Sequence, residues 1–154
     1  KEAWVKIKIN HITDTDMVTK LYQASQAGVK IDIVIRGNCS LVPGLKGLSE
    51  NIRCVGIIDR YLEHSRILIF ANGGKPRFFI GSADWMPRNL LNRIEVLTPV
   101  YDEEMQTDLM RTISYGMRDS TNGRLIDGKG TDDFVNGEPF RSQEELYKEL
   151  KSKY

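Results

Sequence analysis

His64 stands in the stretch Tyr61-Leu-Glu-His-Ser-Arg66, close to Arg60 and Arg66, and is one of only two histidines in the chain. An imidazole titrates near pH 6.5, so at neutral pH it can give and take a proton or attack phosphorus. An adjacent guanidinium can hold phosphate oxygens through paired hydrogen bonds. A histidine on a turn between strands also serves purely structural ends, and it is the neighbouring arginines that point to an anion. His11 lies beside no comparable cluster and reads as structural.

Downstream, Gly81-Ser82-Ala83-Asp84 closes a strand-like run with a residue that permits close approach, a hydroxyl, and a carboxylate able to orient a histidine. Such a set at one strand end can build a phosphate site, although a Gly-Ser pair there is more often only a turn. Arg36 ends the run Ile31-Asp-Ile-Val-Ile35, at the place where α/β sheets put anionic ligands. Arg88, after Trp85-Met86-Pro87, is a further candidate phosphate contact, or a residue that stacks on an aromatic ring; Arg93 is weaker still.

The elements that must position these residues follow from periodicity. Trp4–Ile9 alternates apolar and polar, as a strand with one buried face does. Asp14 can cap the next stretch, in which Met17, Val18, Leu21, Tyr22 and Ala24 recur at helical spacing until Gly28. Val29–Ile35 is rich in β-branched residues, so the opening reads as a parallel β-α-β unit. Residues 37–51 read as a loop. Ile52–Ile58, Arg66–Ala71, Arg77–Ile80 and Arg93–Leu97 are further strands, with Asn72-Gly73-Gly74 turning a hairpin between the second and third. A helix is expected over Asp102–Met117, its stripe of Met105, Leu109, Met110, Ile113 and Met117 facing the core. Asn122–Arg141 should be an irregular extension or hairpin, and Ser142-Gln-Glu-Glu145 a capping box that opens a terminal helix. The expected fold class is α/β, a mixed β-sheet flanked by helices.

Composition narrows the function classes. A chain of 154 residues, 40% hydrophobic, suffices for one domain with a real core, which excludes disorder. Apolar runs stop at five or six residues, where a membrane span needs about 20. Cys39 and Cys54 are too few for a disulfide framework and read as reduced thiols, consistent with a cytoplasmic origin. The start Lys-Glu-Ala-Trp-Val, without an initiator Met or leader, reads as a piece of something longer. The net charge of +1 hides an uneven spread: residues 30–93 carry a net +5 and residues 94–154 a net −5. An anionic partner is therefore expected in the middle third, whereas nucleic acid fits poorly, because aromatics are not interleaved with the arginines.

Four runs, Leu21-Tyr-Gln-Ala-Ser-Gln-Ala-Gly-Val-Lys-Ile-Asp32, Gly47-Leu-Ser-Glu-Asn-Ile-Arg53, Leu62-Glu-His-Ser-Arg66 and Gly81-Ser-Ala-Asp-Trp-Met-Pro-Arg-Asn89, together resemble the C-terminal catalytic domain of the polyphosphate kinase family. The resemblance covers residues 4–118, with 119–154 a looser extension of a single domain spanning 1–154. It implies a phospholipase D-like fold in which two similar domains each supply one histidine to a shared site. His64-Ser65-Arg66 and Gly81-Ser82-Ala83-Asp84 are similar to a phospholipase D His-x-Lys and Gly-Ser-x-Asn pair. Here, however, Arg66 takes the place of Lys and Asp84 that of Asn, and Ala71 stands where that pattern has Asp.

The resemblance further implies reversible transfer of the terminal phosphoryl group of ATP to polyphosphate, through a phosphohistidine on the partner domain. His64 would be the supporting catalytic histidine, and Arg36 and His64 the ATP phosphate contacts. Arg66, Ser82, Asp84 and Arg88 are secondary candidates for the phosphate site. Mg2+ is implied, with ligands mainly outside this segment and none assigned within it. So are ATP, ADP and polyphosphate as ligands, the remaining domains of the chain as partners, a homo-oligomer, and a cytoplasmic enzyme able to associate peripherally with membrane. The isolated segment would lack the nucleophile and be inactive alone. Two alternatives remain at this stage: a phospholipase D-like phosphodiesterase pairing two copies of His64 in a homodimer, and a non-catalytic polyanion-binding module.

Overall fold

The computed structural model describes residues 2–153, so the two terminal positions of the 1–154 unit lie outside it. Strand β1 (Trp4–Ile9) leads into helix α1 (Thr15–Gln26), capped by the Asp14 carboxylate, which accepts from Met17 N–H at 3.0 Å. Gly28 takes a φ of +87°, a conformation that penalises any side chain, and turns the chain into β2 (Lys30–Ile35). β1 and β2 pair in parallel, Trp4 opposite Lys30 and Ile9 opposite Ile35. β3 (Ile52–Ile57), β4 (Arg66–Phe70), β5 (Arg77–Gly81), β6 (Leu97–Val100) and β7 (Gly123–Ile126) complete a seven-stranded mixed sheet in the order β6-β5-β4-β1-β2-β3-β7. A 3-10 turn over Asn72–Gly74 closes the β4–β5 hairpin.

Helices cover both faces. Ile7, Ile9, Ile31, Ile33 and Ile35 pack with Val18 and Leu21 of α1, while Val34, Val55, Ile67 and Ile69 pack with Ile113 and Met117 of α3 (Glu103–Arg118). Each fully buried aliphatic side chain contributes roughly 1.5–3 kcal/mol, so two such layers make the sheet the rigid platform of the molecule. This corrects the expectation that β1 buries one face only. Lys8, on the second face, is 3% exposed because α3 covers that side.

Four other expectations change. The last strand of the hairpin region begins at Leu97, not Arg93, because Gly81 pairs with Leu97, and residues 87–91 form a short helix, α2 (Pro87–Leu91). Met105 is exposed, one turn short of where α3 meets the sheet. Residues 122–141, expected as an irregular extension or hairpin, form a partial hairpin through a bridge from Arg124 to Phe134 and in addition give the sheet its edge strand β7, antiparallel to β3. Ser142 does not cap α4 (Ser142–Lys153): the first helical bond runs from Glu145 N–H to Arg141 O. The Ser142 N–H and hydroxyl instead donate to Asp119 Oδ2, at 2.8 and 2.6 Å.

Candidate phosphate site

The register of the sheet brings distant segments to one edge. β1, β2 and β3 are parallel and end there, delivering Asn10, Arg36 and Ile58. β4 runs antiparallel to β1, with Lys8 opposite Ile67, so its amino end arrives at the same edge carrying His64 and Arg66. β5 returns antiparallel to β4, with Arg66 opposite Gly81, and places Gly81–Asp84 beside them. Bridges from Ile12 to Cys39 and to Trp85 stitch the outgoing loops together.

At this edge a line of hydrogen bonds joins four of the residues singled out in the sequence. Arg36 Nε donates to Asn10 Oδ1 at 2.9 Å, and Asn10 N–H donates to Asp84 Oδ1 at 3.0 Å. Arg66 grips the same carboxylate with Nε and Nη2, at 3.3 and 3.2 Å. Its Nη1 donates to the His64 carbonyl at 3.1 Å and lies 3.0 Å from His64 Nδ1. A guanidinium has donors only, so the nearer ring nitrogen accepts. Burial opposes ionisation of Asp84, but Arg66 and the N–H groups of Asn10 and His11 outweigh it and hold the carboxyl below the usual carboxylate range. Arg66 and Asp84, two of the three departures from the phospholipase D pattern, thus form one ion pair.

The loop carrying His64 is clamped from the C-terminal region. Glu63 takes Lys8 Nζ at 2.8 Å, the pairing that a buried ammonium requires, and accepts from Gln143 Nε2 at 2.6 Å. Gln143 also exchanges hydrogen bonds with the Tyr61 backbone, at 2.9 and 2.8 Å. Arg141 holds Asp59 with two bonds, at 2.6 and 3.0 Å, and lowers its pKa. His64 itself is exposed. A hollow of about 430 Å3 opens beside Arg36, lined also by Gly37, Ile58, Arg124 and Phe134, with the Arg124 guanidinium 3.5 Å above the Phe134 ring.

Ser82 and Arg88 stand apart from this line. The Ser82 hydroxyl donates to Glu95 and accepts from Val96 N–H at 3.1 Å, and Asn89 Nδ2 donates to Glu95 at 2.7 Å. The Ser82 and Asn89 bonds hold the Glu95 carboxyl low, so the hydroxyl is engaged in ordering the β5–β6 turn. Arg88 is exposed on α2. Sequence reasoning missed Asn10, Glu63 and Gln143. The position of Asn10 directly after a strand of the parallel set was a usable signal; nothing local marks the other two.

Among the described residues no three His, Cys, Asp or Glu side chains converge to hold a metal. Glu63 and Asp84, on the segments that meet at His64, are each tied to a cation, so among the described residues the side chains at this edge do not fit a Mg2+ site. No helix of the described residues is long and apolar enough to cross a membrane.

Comparison with known proteins agrees with this architecture. Residues 1–144 match the family described as polyphosphate kinase C-terminal domain 2. A polyphosphate kinase of Vibrio vulnificus is 46% identical over 155 residues, 99% of this chain, and one of Escherichia coli K12 is 40% identical over 151. The chain spans 22% of the length of each of these relatives. The crystal structure of polyphosphate kinase from Porphyromonas gingivalis superposes with a TM-score of 0.94 at 42% identity, over 99% of this chain and 24% of that one. NucT from Helicobacter pylori, at 22% identity and a TM-score of 0.55, covers 73% of this chain and shares the fold alone. With the mixed α/β, phospholipase D-like sheet in place and these matches spanning nearly every residue, the chain belongs to the polyphosphate kinase family, as its second C-terminal domain.

Proposed function

We propose that this domain helps to carry out reversible transfer of the terminal phosphoryl group of ATP to polyphosphate, with Arg36 and His64 as its contacts to the nucleotide phosphates. The observation that carries the reading is the distribution of uncompensated charge at the sheet edge. Lys8 is neutralised by Glu63, Arg66 by Asp84 and Arg141 by Asp59, whereas among the described residues Arg36 meets no carboxylate and binds only the neutral Asn10 amide. A guanidinium with both terminal nitrogens unspent, at the same sheet edge as an exposed histidine, suits a phosphate chain.

In this reading the phosphorus leaves the oxygen of ADP as it bonds to a histidine nitrogen on another domain of the same chain. Arg36 neutralises charge on the phosphates, and His64 stabilises or protonates the departing oxygen. Arg66 and Asp84 hold His64 in place and do not bind phosphate themselves; Ser82 and Arg88 are peripheral. Residues 119–154 complete the single domain by clamping the His64 loop. Mg2+ would be held by groups outside this segment and by the phosphates. The full enzyme is read as a cytoplasmic homo-oligomer with room for peripheral membrane association.

Calorimetric titration of medium-length polyphosphate, then Mg-ATP, into this chain tests the reading beside Arg36→Ala and His64→Ala. Binding weakened by both substitutions is expected, together with no turnover by the isolated chain. Binding indifferent to either residue would leave only generic electrostatics, the signature of a polyanion-binding module.

A further inference from the structure

Asn10, the first residue after β1, is wholly buried. Its backbone is fully engaged: the N–H donates to Asp84 Oδ1 at 3.0 Å, and the carbonyl accepts from Gly37 N–H at 2.9 Å. A side chain at Gly37 would place its Cβ 2.3 Å from His11 Cε1 and 3.0 Å from Asn10 O, so the glycine lets the chain after Arg36 lie against Asn10 and His11. The amide side chain is only half used. Oδ1 accepts from Arg36 Nε at 2.9 Å, while Nδ2 is buried and has no acceptor among the described residues.

The orientation of this amide is fixed by chemistry, because arginine Nε only donates and the atom facing it must be the oxygen. Nδ2 is then left over. A buried amide donor without a partner is uncommon, and at a site serving stability alone an apolar residue of similar size would be the better choice. The other unpartnered buried side-chain atom among the described residues is an acceptor, Asn89 Oδ1 on α2, whose amide nitrogen serves Glu95 away from this line of bonds. Asn10 bonds the Arg36 side chain directly and, through its own N–H, joins it to the Asp84, Arg66 and His64 arm of the edge.

We propose that Asn10 is a positioning residue of the phosphate site: its Oδ1 fixes Arg36 at Nε, so that both terminal nitrogens are left for the ligand, and its Nδ2 donates to an oxygen that enters with the bound phosphoanhydride chain. The inference rests on the reading of Arg36 as a phosphate ligand. That chain belongs either to the nucleotide or to polyphosphate, which present the same oxygens.

The test uses the full-length polyphosphate kinase carrying this domain, with Asn10→Ala, Asn10→Asp, Arg36→Ala and the Asn10→Ala/Arg36→Ala double variant, each checked for folding by thermal melting. Initial rates of ATP formation are measured with ADP and polyphosphate varied in turn. Asn10→Ala is expected to raise KM about tenfold while lowering kcat less than about threefold, and to add less in the double variant than it does alone, because only the Nδ2 donor remains to be lost once Arg36 is gone. A rise confined to ADP assigns the site to the nucleotide, and one confined to polyphosphate assigns it to the polymer; either supports the proposal. Asn10→Asp keeps an oxygen for Arg36 but lacks the donor and should not restore KM. Because it preserves size, it decides the matter if Asn10→Ala fails to fold. A wild-type KM in Asn10→Asp overturns the donor role, and wild-type constants in Asn10→Ala, or full additivity in the double variant, overturn the positioning role. Wild-type constants in Arg36→Ala would remove the reading of the site itself, and this inference with it.

Discussion

Two buried aspartates organise two regions of this domain in opposite ways. Asp84, 4% exposed at the ligand edge of the sheet, is matched by a guanidinium that reaches on to an exposed histidine. Asp119, fully buried where α3 gives way to β7, is surrounded by neutral donors: the N–H groups of Thr121, Asn122 and Gly123 on one oxygen, and the N–H and hydroxyl of Ser142 on the other. Both are satisfied carboxylates, yet only the first passes its influence to a side chain that solvent can reach. A carboxylate saturated by backbone N–H groups fixes a chain path, whereas one that neutralises a long, forked cation fixes the position of whatever else that cation touches.

The comparison breaks most sharply at Asp119. Asp119→Ala leaves several buried donors unmatched at about 1–3 kcal/mol each, so a loss of about 3 kcal/mol or more is expected. That corresponds to a fall of about 10 °C in Tm for a domain of this size, measured by calorimetry. The affinity of the chain that remains folded should be close to that of the parent.

Asp84→Asn should behave in the reverse sense. Size and one acceptor survive, but Arg66 loses its counter-charge, and a stability loss of about 2 kcal/mol is expected. With His64 no longer held, kcat of the full-length enzyme should fall roughly tenfold, a larger relative effect on function than on folding. The acid dependence tests the Asp84 charge directly. The folded Asp84 carboxyl titrates below its unfolded value, so its contribution is present in full above about pH 4 and is lost as pH falls through the lowered pKa. The stability gap between parent and Asp84→Asn, followed by denaturant titration from pH 6 downward, should therefore close in acid. A gap that stayed constant would mean that the charge is not what stabilises the pair.

The smallest effect is expected at Ser82→Ala. Its hydroxyl serves the Glu95 turn, so a change below about 1 kcal/mol and unaltered polyphosphate binding are predicted, read by melting and calorimetry. A large loss of binding would bring Ser82 back into the phosphate site.

Much of this was legible locally. The alternation in Trp4–Ile9, the cap at Asp14, the break at Gly28 and the turn at Asn72–Gly74 are short-range signals, and the corresponding elements formed where expected. His64, Arg66 and Asp84 stood out by residue type and short motif, and the pairing of β4 with β5 brings them together. The start of β6, the edge strand β7 and the true cap of α4 were not legible, because each is set by a partner far away: Gly81 for β6, β3 for β7, and Asp119 for Ser142.

The sequence by itself determined the α/β class, the family and the residue types gathered at the candidate site, since periodicity, turn chemistry and motif are carried by neighbours in the chain. Only the tertiary structure decided which of four cations, Lys8, Arg36, Arg66 and Arg141, is left with charge to spare. Lys8, Arg36, Arg66 and Arg141 are equal in a composition count. Folding brings Glu63 to the first, Asp84 to the third and Asp59 to the fourth, and leaves Arg36 on a neutral amide. Neutralisation requires a carboxylate within a few ångströms, and the pairing of strands and the docking of the C-terminal region, which no local pattern encodes, set those distances between residues as many as 82 positions apart.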